Sequence, residues 1–236
     1  MSVPARSYIA LVVARTIPLF PLPVVLFPGV ALPLHIFEPR YRRMLSDCLE
    51  GDRRFGLIHL PESTPERDLP RGQVGCIARV ESVEPLPDGR SNIVVAGEER
   101  FALERFVDDP RPYHLGEVRD YADLPEPDEP LHALADGVLE RFTRVAAAAR
   151  ALGNDHTPPP ALPPGPALLA FRIAALVDTP LTMRYHLLAS RSPLGRLREI
   201  DRLLASVEGG LQRRAELHER AKGNGRARGG PPGTAP

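Results

Sequence analysis

Lysine is nearly absent from this 236-residue chain: of 30 basic residues only Lys222 is lysine, and it sits in a glycine-rich tail. Chemistry that needs a lysine in the folded body is therefore excluded. A phosphate-binding loop requires G-x-x-x-x-G-K-[ST], whereas Lys222 lies between Ala221 and Gly223. A Ser–Lys peptidase dyad requires a lysine with a lowered pKa beside the serine. Cysteine is scarce as well. Cys48 and Cys76 are too few and too far apart for a disulfide framework or a CxxC metal or redox site; they read as small core hydrophobes. No apolar run approaches the roughly 18 residues of a membrane helix. Tyr8 to Ala14 is apolar but too short for a secretory leader and has no A-x-A exit, so the cytoplasm is the expected compartment. An excess of one charge is also missing. The 30 basic and 30 acidic residues cancel, which removes any global attraction to nucleic acid or anionic lipid.

What is present divides into two halves with different periods. Residues 16–37 read TIPLFPLPVVLFPGVALPLHIF. Prolines recurring among apolar residues exclude a helix and suit short strands with a tight Pro28-Gly29 turn. In EPRYRRMLSDCLEGD, Pro39 suits a first helical position, and Tyr41, Met44, Leu45, Cys48 and Leu49 form one stripe at helical spacing. Gly51 is the expected stop. Strands are expected again at Phe55 to Leu60 and at Val74 to Val83, where Val74, Cys76, Ala78 and Val80 share one face. The Pro87-Asp88-Gly89-Arg90 hairpin signal comes next, then Ser91 to Ala96, a turn at Gly97 to Arg100, Phe101 to Val107, and Tyr113 to Tyr121. Six or more short strands with one inserted helix suggest a small, partly open barrel.

The acidic, proline-rich DLPEPDEP (Asp123 to Pro130) marks a boundary. Beyond it Leu131, Leu134, Val138, Phe142, Val145, Ala149 and Leu152 line one face of a long helix. A proline-rich loop to Pro166, two shorter helices and a last helix from Pro193 follow. Leu197, Ile200, Leu204, Val207 and Leu211 form the seam of that helix, and Gly209-Gly210 is expected to kink or end it. The division expected is residues 15–122 for the barrel, 127–220 for the helical part and 221–236 for a disordered tail. No G-x-S-x-G, H-E-x-x-H or paired CxxC occurs. His132 and Asp136 stand at ligand spacing on one helix without a second pair nearby, and His35 alternates with apolar neighbours as a core or rim histidine. Neither an enzyme nor a cofactor or metal is expected.

The segment IPLFPLPVVLFPGVALPLHIFEPRYRRML (Ile17 to Leu45) resembles the opening of the N-terminal domain of Lon proteases. FGLI (Phe55 to Ile58), VGCIARV (Val74 to Val80) and DGRSNIVVAGEERF (Asp88 to Phe101) follow at family-like distances. The resemblance is strong over Ile17 to Val118 and continues through the helices to about Leu217. It implies an α+β fold: a PUA-like β pseudo-barrel with an inserted helix, followed by a C-terminal helical bundle. It also implies a non-catalytic module that recognises unfolded or extended polypeptides or a protein partner, a protease among the partners to be tested, with a homodimer left open. Turn geometry and core packing account for much of the motif. The functional expectation is that Phe27 and Pro28 at the turn, with Phe37 and Tyr41 beside it, line a shallow peptide groove that adds hydrogen bonds by pairing with an exposed sheet edge. The alternative is RNA binding, since PUA-like barrels elsewhere bind RNA and the tail KGNGRARGG is faintly RGG-like. The barrel segment carries no basic patch interleaved with aromatics.

Overall fold

The computed structural model describes residues 14–153, 157, 158, 160–162 and 165–226. The expectations for Tyr8 to Val13, for parts of the loop before Pro166 and for residues 227–236 lie outside the described residues. The strands are β1 (Arg15–Leu22), β2 (Ala31–Ile36), β3 (Arg54–His59), β4 (Val74–Pro85), β5 (Ser91–Val107) and β6 (His114–Asp120). The α-helices are α1 (Pro39–Glu50), α2 (Asp128–Leu152), α3 (Pro166–Leu176), α4 (Leu181–Ala189) and α5 (Pro193–Arg226). The chain forms two compact units. One runs to Pro125 and takes in Ala174–Ser192; the other comprises Glu126–Ile173 and the chain from Pro193. One seam falls between Pro125 and Glu126, and residues 174–192 group with the strands.

In the first unit the sheet order is β2-β5-β4-β3-β1-β6, and β5 pairs with β6 as well, closing a ring. β5 makes this possible by changing partners along its 17 residues. Ser91 to Ala96 pair with β2, and Phe101 to Val107 pair with β6. The turn expected at Gly97 to Arg100 is instead a bulged crossing within one strand. The reason is local. Gly97 donates its N–H to the Val30 carbonyl (2.9 Å) and accepts from Gly29 (2.8 Å), so the 27–30 turn lies directly on β5. A Cβ at Gly97 would overlap the Phe27 carbonyl oxygen and stand 2.8 Å from its carbon. The turn itself needs Gly29, which has φ 70°.

The ring is filled by Leu19, Ile58, Leu69, Ile77, Phe101, Leu103 and Val118. α1 begins with Pro39 in its first turn, as its missing N–H allows, and buries Tyr41, Met44, Leu45 and Cys48. Tyr41 packs on Phe20 with ring centroids 4.1 Å apart. Hydrogen bonds hold the segment Ala174–Ser192 to the strands. Arg100 donates to the Leu188 and Ser190 carbonyls (2.6 Å each) and pairs with Asp123. Tyr121 donates to the Ala189 carbonyl. The Tyr185 hydroxyl donates to Gln73 Oε1 (3.0 Å) and accepts from the Val74 N–H (3.3 Å).

In the second unit α2 buries Leu131, Ala135, Val138, Phe142 and Val145, while Ala149 and Leu152 of the expected stripe are exposed. Arg141 ties α2 to α5 through Asp201 (2.9 Å) and Glu208 (3.0 Å). Arg196 is fully buried, stacked 4.4 Å over Phe171 and donating to the Ala167 carbonyl. α5 is continuous through Gly209-Gly210, contrary to the expected break, and its helix includes residues 221–226 of the expected tail. Each glycine costs about 1 kcal/mol of helix propensity, a deficit a helix already seated on a partner withstands. No helix among the described residues is long and apolar enough to cross a membrane.

Candidate functional site

The four residues singled out from sequence are adjacent in the chain but not equivalent in space. Phe27 and Tyr41 are buried core side chains, and Pro28 is buried in the turn over β5. Tyr41 directs its hydroxyl at Glu66 (3.3 Å). Burial and the neighbouring Glu66 carboxylate push its pKa well above the ordinary value. None of the three presents a surface to a peptide, because the motif spends them on packing. Phe37 alone is open, at 57% exposure. Its ring stacks beside His35, with centroids 6.0 Å apart and planes 22° apart.

Phe37 follows β2, and β2 is the edge strand: its one ladder among the described residues is with β5. Beyond the ring, β2, the first half of β5 and the second half of β4 make a three-stranded antiparallel extension. The registers place Pro33 beside Val94 and Val94 beside Ser82, then His35 beside Asn92 and Asn92 beside Glu84. Since side chains alternate along strands, these six share the outer face. With the backbone around them they line a groove of about 320 Å³. The second row is hydrogen-bonded throughout. Asn92 Nδ2 donates to Glu84 Oε2 (3.1 Å), and His35 Nδ1 lies 2.8 Å from Asn92 Oδ1. A carboxylate only accepts, so the Asn92 amide nitrogen must face Glu84 and its oxygen must face His35. His35 Nδ1 is then the donor. The row leaves one Glu84 carboxylate oxygen as a free acceptor, beside the second Asn92 N–H.

The edge itself is less available than expected. Gly97 donates to Val30, so Val30 faces β5, and by alternation Ala31, Pro33 and His35 turn their backbone groups to the open side. The central one is a proline. Its ring occupies the place of the N–H, an arrangement a strand proline tolerates and a known guard of sheet edges. The sequence reading missed the Ser82, Glu84, Asn92 and Val94 contribution. The DGR turn could have given it, had the hairpin register been known.

Elsewhere polar groups serve the fold. Glu66 accepts both Arg40 guanidinium N–H groups (2.7 Å each), and His114 Nε2 stands 2.7 Å away. Burial alone would raise the Glu66 pKa, but the Arg40 hydrogen bonds and charge outweigh it and hold the carboxyl below its ordinary range. Burial pushes the Cys48 thiol up to about 12 and the Cys76 thiol higher still. His132 and Asp136 are exposed, with His132 donating to the Asp128 carbonyl (2.8 Å). Among the described residues no group of three or more His, Cys, Asp or Glu is placed to hold a metal.

Residues 16–206 match the family described as the ATP-dependent protease La (LON) substrate-binding domain. Among curated relatives, the chain is 27% identical over 215 residues to the Lon protease of Methylocella silvestris, covering 84% of this chain and 26% of that one. It is 30% identical over 129 residues to the Lon protease of Cytophaga hutchinsonii, covering 52% and 15% respectively. It thus spans about a quarter or less of these proteins. A solved Lon N-terminal domain protein from Xanthomonas campestris superposes with a TM-score of 0.57 at 27% identity, over 79% of this chain and 96% of that one. The N-terminal domain of Mycobacterium avium complex Lon protease gives 0.61 at 17% identity, over 81% and 98%, which speaks to fold. A five-strand ring extended by β2, an inserted helix, a helical part after it, and these matches together place the chain in the Lon substrate-binding domain family.

Proposed function

We propose that this chain recognises unfolded or extended polypeptide in the cytoplasm without cleaving it, through the outer face of the β2–β5–β4 extension with Phe37 as the principal apolar contact. The observation that carries the reading is Phe37 itself. It is a large apolar side chain left exposed at the end of an edge strand, beside a groove, within a motif whose other aromatics are buried. An isolated exposed phenylalanine is unremarkable. One stacked beside His35, which lines a preformed concavity with polar groups along it, has the composition of a recognition surface. Family membership supports the same class of ligand. Affinity is on the order of micromolar or weaker, because a shallow surface must offset the entropy of ordering a flexible chain.

The test is a titration of a labelled, permanently unfolded protein and of a labelled single-stranded RNA with wild type and Phe37→Ser. The polypeptide should bind, and Phe37→Ser should weaken it about tenfold, equivalent to losing part of the roughly 1.5–3 kcal/mol of a buried phenylalanine. The thermal midpoint should not move. Binding of RNA alone, indifferent to Phe37, would replace this reading with the nucleic-acid one.

A further inference from the structure

Resting on the polypeptide-binding reading, we infer that the groove beside Phe37 is a subsite for a basic side chain, and that the bound segment is held by side chains on the sheet face rather than added to it as a strand. Two independent observations meet here. The first is the hydrogen-bonded row. His35, Asn92 and Glu84 are linked so that the Glu84 carboxylate keeps an unused oxygen on the face, beside the second Asn92 N–H and the Ser82 hydroxyl. Among the described residues that line the groove, Glu84 is the one carboxylate. Pro33 and Val94 form the apolar part of the same floor. The complementary ligand is an arginine or lysine whose stem lies along Pro33 and Val94 and whose head reaches Glu84, next to an apolar residue on Phe37.

The second observation is Pro33. An added strand would need the outward backbone groups of Ala31, Pro33 and His35. At Pro33 the ring methylene points at the carbonyl of whatever strand approaches, where a hydrogen-bond donor is required. The edge is thereby cut into pieces too short to hold a strand by backbone pairing. The same ring obstructs pairing of two copies through β2, since the register that matches the most residues sets Pro33 against Pro33.

The experiment uses a fluorescein-labelled nine-residue peptide containing Leu-Phe-Arg-Leu, a version with citrulline for arginine, and versions of the first N-methylated at odd or at even positions. For the wild-type chain the arginine peptide should bind about threefold more tightly than the citrulline peptide, the range of an exposed ion pair. Glu84→Gln should erase that preference, and Phe37→Ser should weaken both peptides equally. N-methylation at either parity should change little for wild type, while Pro33→Ala, which restores an N–H, should make one parity inhibitory. A preference that survives Glu84→Gln overturns the subsite. A parity effect in wild type, or none in Pro33→Ala, overturns the face-binding mode. If neither peptide binds although unfolded protein still binds through Phe37, the subsite falls and the broader reading stands. Loss of Phe37-dependent binding altogether removes both.

Discussion

Replacing Gly97 with alanine should be among the most damaging single-methyl changes in this chain, for a reason of space rather than backbone conformation. The new Cβ would overlap the Phe27 carbonyl oxygen and sit 3.2 Å from Cys76 Sγ. The obstacle is backbone, anchored by a side chain with 1% exposure, so it cannot swing aside as a flexible tip would. Relief requires lifting the 27–30 turn from β5, which breaks the Gly29-to-Gly97 and Gly97-to-Val30 hydrogen bonds. Overpacking a dense site costs about 1–3 kcal/mol and each lost backbone bond about 1 kcal/mol, so the expected loss is about 3–5 kcal/mol. Gly137→Ala is the matched control. That position is on the exposed face of α2, where a Cβ meets nothing within 4 Å, and the change should stabilise by up to about 1 kcal/mol through helix propensity. Urea denaturation followed by far-UV circular dichroism reads both, the chain having no tryptophan. A Gly97→Ala protein within 1 kcal/mol of wild type, on the same scale, would refute the claim that the turn is seated on β5.

Other consequences can be checked with the same protein. Burial holds the His59 pKa below its ordinary value near 6.5, so the unfolded chain binds the proton more readily. The stability His59 supplies is complete above about pH 6.5 and falls as pH drops toward the folded pKa. Thermal midpoints at pH 7.5 and 5.5 should diverge less in His59→Gln than in wild type. Glu66→Gln should cost about 1–2 kcal/mol by weakening the charge-assisted bonds from Arg40, measured by the same denaturation. Cys48 and Cys76 are buried with raised thiol pKa values. A thiol reagent at pH 8 should therefore label neither until the chain is unfolded; rapid labelling of the native chain would contradict the packing of both.

Local chemistry already determined much of this protein in the sequence. The proline-studded opening excluded helix, Pro39 and the Tyr41–Cys48 stripe placed α1, the Pro87-Asp88-Gly89 turn placed the β4–β5 hairpin, and the near-absence of lysine removed whole classes of catalysis. The family motif was legible too, because its residues are neighbours in the chain. Three matters needed the tertiary structure. Gly97 to Arg100 carries turn-like residues, yet β5 runs through them because two different strands are available to pair on either side. Phe27, Pro28, Phe37 and Tyr41 look alike as motif members, but the seating of the 27–30 turn on β5 and the packing of Tyr41 against Phe20 bury three of them and leave Phe37 exposed. The face that Phe37 adjoins is assembled from Pro33, Ser82, Glu84, Asn92 and Val94, which lie on three strands. Hydrophobic periodicity reports which residues of one element turn inward, but it carries no information on the register between elements, and register decides which side chains stand together on the surface.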